Sequence, residues 1–205
     1  MKKYYGLFTI LMIIFLNACS SKTHKAMDIY TLKYNAIPST KPLIATSNKT
    51  LKIIQPQSSK EIQKKKILYA KTLQQRETYA YSRWSDTPNR MLEDFLVAYL
   101  NQTALFKVVI PHTSQVAPAW LLESNIEDFY QYFDEENRAF AIVKIRFFLM
   151  DKKDKSLISQ YYFSAKIPSS PLDAKGGVLA FNLAMQQVAT ELQLWLKDLK
   201  ILTVS

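Results

Sequence analysis

The 205-residue chain has one cysteine, three glycines and two histidines. A single cysteine forbids an internal disulfide, so the core alone must hold the fold. Gly6 lies in the N-terminal apolar segment and Gly176-Gly177 are adjacent, whereas a phosphate-cradling loop between strand and helix needs more glycine than that. His24 and His112 have no second ligand at metal-like spacing, and both are expected to be exposed surface groups. Neither a Gly-x-Ser-x-Gly elbow nor a His-Glu-x-x-His pair is present. The acids Glu123, Glu127, Asp128, Asp134, Glu135 and Glu136 follow one strand and its turn, and read as a solvated edge rather than a catalytic pair. These shortages argue against an enzyme and imply no metal and no cofactor.

The apolar run from Leu7 to Leu16 is also too short to span a bilayer, which takes ~20 residues. It follows Lys2 and Lys3 and closes on Leu16-Asn17-Ala18-Cys19-Ser20, with small Ala18 directly before the only cysteine. That order is the layout of a secretory signal peptide ending in a bacterial lipoprotein cleavage box. Processing would attach a diacylglycerol thioether to Cys19, cut between Ala18 and Cys19, and acylate the new N-terminus. Three acyl chains, at ~0.8 kcal/mol per buried methylene, make such an anchor permanent. Residues 1–18 are thus expected to be the signal peptide, 19–27 a lipidated tether and 28–200 the domain. Ser20 after the cysteine, in place of Asp, is the pattern of lipoproteins released to the outer membrane.

Removing residues 1–18 takes away Lys2 and Lys3 and lowers the formal charge from +10 to +8. A basic surface in the envelope suits anionic headgroups or an acidic partner protein; secretion and the lack of any binding motif argue against nucleic acid. The excess is concentrated in Lys60–Lys71 around Lys64-Lys65-Lys66, and its simplest reading is a solvated face.

Alternation and turn residues predict strands at Asp28–Tyr34, Thr50–Ile54, Lys66–Thr72 and Glu77–Trp84, with a loop from Pro38 to Asn48. In Glu77–Trp84, Tyr79, Tyr81 and Arg83 fall on one face and Thr78, Ala80, Ser82 and Trp84 on the other. Thr87-Pro88 is an N-cap followed by proline at the first helical position. Met91, Leu92, Phe95, Leu96, Tyr99 and Leu100 then extend an amphipathic helix to about Asn101. Strands follow at Phe106–Ile110, Trp120–Phe133, Ala139–Met150 and Leu157–Ile167. A last helix begins near Asp173, its apolar stripe running Val178, Phe181, Met185, Val188, Leu192, Trp195, Leu196 and Leu199. Seven or eight strands and two long helices give an α/β or α+β domain. Trp84 should pack beneath the helix that starts at Pro88, with Arg83 projecting the other way toward Asp86 or Glu93. Tyr130, Tyr132, Tyr161 and Tyr162 suit an interface, although strand tyrosines are more often packed on their own sheet.

The Tyr30-Thr31-Leu32 strand, the tyrosine-rich strand entering Arg83-Trp84-Ser85-Asp86-Thr87-Pro88, Ile126-Glu127-Asp128-Phe129, the long hairpin and the final helix with Trp195 form one ensemble. Together with the lipobox, it resembles the ABC-type transport auxiliary lipoprotein family across roughly residues 28–198. That family includes the lipoprotein partners of MCE-type (mammalian-cell-entry-type) lipid transport systems. Arg83, Trp84, Ser85 and Pro88 carry its most specific motif, in a structural or partner-contacting role. The resemblance implies a three-layer α/β domain with a mixed sheet, similar in architecture to anticodon-binding-like domains. It implies a non-enzymatic scaffold, at the periplasmic face of the outer membrane with the inner membrane as the alternative, for an MCE-domain protein and an ABC permease and ATPase, with homo-oligomers open. A lipid- or small-ligand-binding lipoprotein with its own cavity, or an outer-membrane assembly lipoprotein, is the alternative.

Overall fold

In the computed structural model, residues 25–34, 45–72 and 74–199 are described. Cys19 and the expected cleavage box, His24 and most of the Pro38–Asn48 loop lie outside those residues. The chain runs β1 (Asp28–Tyr30), β2 (Thr50–Ile53), β3 (Gln57–Ser58), β4 (Lys66–Ala70), β5 (Glu77–Trp84) and α1 (Pro88–Gln102). It continues with β6 (Val108–Ile110), β7 (Trp120–Phe133), β8 (Ala139–Asp151), β9 (Leu157–Ser169) and α2 (Ala174–Asp198).

Strand β7 is the axis of one nine-stranded mixed sheet. Along one edge it takes three short parallel strands in succession: β2 at Trp120–Leu122, β3 at Asn125–Ile126 and β4 at Gln131–Tyr132. Its other edge pairs antiparallel with β8 from Trp120↔Asp151 to Phe133↔Ala139, and β9 follows antiparallel on β8. Strand β6 extends the sheet beyond β2, and β5 then β1 extend it beyond β4. The hairpins of β7, β8 and β9 turn where the acidic and Asp-Lys-rich runs predict, with Asn137 and Lys155 at positive φ.

Period-two patterning sets the buried face. In β8, Ala139, Ala141, Val143, Ile145, Phe147 and Leu149 are all buried, while the residues between them are half-exposed. The stripes of α1 and α2 close over that face to form a single core. The helices also touch each other, the Tyr99 hydroxyl donating to Gln193 Oε1 at 2.7 Å. The mixed sheet and two long helices are as expected, but both helices share one face, and a third layer is not seen among the described residues.

Two expectations are corrected in detail. Strand β1 ends at Tyr30 instead of Tyr34, because the chain leaves the sheet and crosses the helices. Lys33 N–H donates to Asn182 Oδ1 at 2.8 Å, and Tyr34 packs edge-on against Phe95 and Tyr99. The alternation of β5 also changes phase. Between Lys66↔Arg83 and Leu68↔Thr78, β5 advances five residues while β4 advances two. Tyr79 therefore turns inward while Tyr81 and Arg83 point out, so the three do not share a face.

Candidate functional site: the strand-to-helix corner

The Arg83–Pro88 motif occupies the corner where β5 leaves the sheet and α1 begins. Trp84 is 1% exposed. Its ring meets Phe129 at 5.9 Å and Phe181 at 5.6 Å, and those two phenyl rings stack at 4.4 Å. The indole is thus held between central strand β7 and helix α2, whereas the sequence pointed to α1 as its cover. Trp84 N–H donates to Lys65 O and Ser85 N–H donates to Tyr30 O, which ties the corner to both flanking segments.

Beyond it, Thr87 Oγ1 accepts from Arg90 N–H as N-cap and Pro88 stands in the first turn, where its missing N–H costs nothing. Asp86 Oδ1 accepts from Thr87 N–H at 2.8 Å. Its carboxylate also pairs with Lys65 at 3.4 Å and Arg90 at 3.8 Å. Neither Asp86 nor Glu93 reaches Arg83, which corrects that expectation. Buried Asn89 donates to Pro56 O at 2.6 Å and to Ser58 Oγ at 3.0 Å, holding β3 against the first turn of α1.

Glu93 is 2% exposed on the inner face of α1. Its carboxylate accepts from His112 N–H at 2.8 Å and lies 2.7 and 2.8 Å from His112 Nδ1. His112 is therefore the clasp of a buried carboxylate and not a free surface histidine. A glutamate on the buried stripe of a helix requires such a partner, and that requirement was the signal in the sequence that could have found it.

A second polar knot joins sheet and helix under the corner. The Tyr79 hydroxyl donates to Gln131 Oε1 at 2.6 Å, and Gln131 Nε2 donates to Ser169 Oγ at 2.7 Å. Burial pushes the Tyr79 phenol well above its ordinary range. The glycine pair serves close packing here: a Cβ on Gly177 would meet Gln131 Oε1 at 2.6 Å, and one on Gly176 would run into Pro171 O. Asp173 caps the helix by accepting from Gly176 N–H at 2.9 Å.

Outside the corner, several acids of β7 and the turn after it are taken by cations: Asp128 by Lys144 and Arg76, Glu127 by Arg146, Asp134 by Arg138. Three of the four interface tyrosines are drawn into the domain's own packing. Tyr130 lies beneath the Arg76 guanidinium, Tyr132 packs on the core, and Tyr161 stacks on Trp195 while donating to Glu191. Tyr162 stays exposed beside Arg146. Among the described residues no three of His, Cys, Asp and Glu gather as a metal site, and no helix is long and apolar enough to cross a membrane.

A family model described as the ABC-type transport auxiliary lipoprotein component matches residues 30–193. The chain belongs to that family. The matched span of this auxiliary lipoprotein opens at the last residue of β1 and closes near the end of α2, enclosing the whole corner. Protein XCC0632 from Xanthomonas campestris is similar in fold, with TM-score 0.71 and 22% identity, over 82% of this chain and 93% of its own. A second solved structure, an uncharacterized protein, gives TM-score 0.62 at 12% identity, over 83% of this chain and 98% of its own. No curated protein matches.

Proposed function

We propose that this auxiliary lipoprotein is a lipid-anchored, non-catalytic accessory subunit of an MCE-type ABC transport system that moves lipid across the cell envelope. The observation that carries the reading is the joining of two features in one chain. A lipoprotein cleavage box ends at Cys19, and the family domain opens eleven residues later at Tyr30. So short a tether keeps the domain at the membrane surface and suits a docking subunit better than a roaming carrier. Its partners are the MCE-domain protein and the permease and ATPase, docked on the domain or on a ring of its copies. Ser20 after the lipidated cysteine favours the periplasmic face of the outer membrane.

The domain acts by position. The acyl chains fix one end, and the corner of Arg83, Trp84, Ser85 and Pro88 sets the angle between sheet and helices that a partner meets. A carrier would instead need an apolar chamber, whereas the core is filled by Trp84, Phe147, Phe163 and Phe181, each below 2% exposed. A groove of about 630 Å³ between β9 and α2, beside Ile167, Pro168 and Leu183, lies open to solvent and encloses no chamber.

Mass spectrometry of the mature chain and density-gradient fractionation of envelopes test the anchor. A triacylated Cys19 at the N-terminus, found in the outer-membrane fraction, is the expected result. An unmodified Cys19 in a soluble fraction would end the reading.

A further inference from the structure

Strand β1 is an edge strand, and its pairing aligns Ile29 with Arg83 and Asp28 with Ser82. Ser82 and Trp84 point into the core, so Ile29 and Arg83 point outward, with Met27 and Tyr81 one step along on the same side. Met27 is 46% exposed, Ile29 57% and Tyr81 51%, an apolar group at a sheet edge with Lys25 Nζ 5.5 Å from the centre of the Tyr81 ring. Beside it, Met27, Lys64, Lys65, Lys66, Tyr79 and Arg83 line a hollow of about 290 Å³. Among the described residues, Lys64, Lys66 and Arg83 have no carboxylate partner. Asp86 is held by Lys65 and Arg90, and Asp28 lies on the other side of β1.

We infer that this face is a membrane-docking surface: Met27, Ile29 and Tyr81 dip into the interface while Lys25, Lys64, Lys66 and Arg83 contact anionic phospholipid headgroups. The inference rests on the acylated Cys19 proposed above. Lys25 stands only six residues after Cys19, so the start of this face cannot lie more than about 20 Å from the lipid anchor even with the chain extended. Apolar side chains ringed by lysine and arginine suit a headgroup boundary, where the apolar groups bury and the cations meet phosphate. The family domain would then stand with the β1 edge toward the bilayer and the β8–β9 turn directed away.

The test uses the acylated full-length chain carrying Ile29→Cys, reconstituted in vesicles. The thioether blocks Cys19, so the introduced thiol is the sole reactive one and takes a fluorophore read against a phospholipid with a headgroup quencher. With phosphatidylglycerol present, the label should be quenched about threefold more than in phosphatidylcholine alone, and high salt should abolish the difference. Lys64→Ala/Lys66→Ala/Arg83→Ala should lower the docked population roughly tenfold, and a label at Lys153→Cys in the β8–β9 turn should stay bright. A bright label at position 29, or quenching indifferent to lipid charge and to the triple substitution, would overturn the surface. So would a label shielded only by an acidic partner protein. If mass analysis shows no acyl group, Cys19→Ser/Ile29→Cys is mixed with the same vesicles. Quenching by phosphatidylglycerol then sustains the surface without the anchor, and its absence overturns it.

Discussion

Gly177 stands so close to Gln131 that a Cβ on the glycine would lie 2.6 Å from the amide oxygen. That oxygen cannot move aside, because it accepts the Tyr79 hydroxyl while the amide nitrogen donates to Ser169. The first turn of α2 is thereby seated on the middle of the sheet.

Gly177→Ala sets a helix-propensity gain of ~1 kcal/mol against an overpacked contact of ~1–3 kcal/mol. The contact should win, since the Gln131 amide is pinned on both sides. Chemical denaturation is expected to show a less stable protein, and a rise in stability would mean that the knot can relax.

Trp84→Ala removes the ring wedged between Phe129 and Phe181 and should destabilise by ~3–5 kcal/mol through the cavity it leaves. Trp84→Phe should recover a good part of that loss. If Trp84→Ala keeps wild-type stability but transport fails, the residue contacts a partner and the packing account falls.

His112→Ala strips the imidazole from a carboxylate that is 2% exposed, leaving Glu93 with the backbone N–H of residue 112 as its remaining donor here. A loss of ~1–3 kcal/mol is expected. The double variant Glu93→Gln/His112→Ala should be less harmed than the two single changes added together, because it has no orphaned charge. Strict additivity in the denaturation midpoints would show the pair to be uncoupled.

The hydrogen bond to Glu191, with some burial, pushes the Tyr161 phenol up to about 12 from its ordinary value of 10.0. A raised folded value favours the protonated form, so this stabilisation is complete below pH 10.0 and fades as pH climbs through about 12. Ultraviolet titration should show late-ionising tyrosines, Tyr79 among them, and Tyr161→Phe should remove one of that group. Ionisation of that tyrosine with the bulk of the phenols would contradict the bond.

Much of this architecture was legible in the chain because local rules and tertiary packing agree. Thr87-Pro88 caps and opens α1, and the stripe from Met91 to Leu100 faces the core. The alternation of β8 survives almost unbroken. What escaped the sequence depended on distant partners. Strand β3 is two polar residues, Gln57 and Ser58, held by the edge of β7 and by Asn89. The phase change in β5 follows from its pairing with β4, which strict alternation of the strand cannot reveal. Glu93 and His112 are nineteen residues apart and meet only once α1 lies beside the segment after β6. The packing reason for the glycine pair lies in Pro171 and Gln131, which are distant in the sequence or invisible to local rules.

The central claim is that this auxiliary lipoprotein serves a transport machine from the membrane surface. Affinity purification of the intact chain from solubilised envelopes, with cross-linking and lipid analysis of the eluate, tests it most directly. Recovery of an MCE-domain protein with its permease and ATPase is the predicted result. A solitary protein carrying stoichiometric lipid would contradict the scaffold account and establish a carrier in its place.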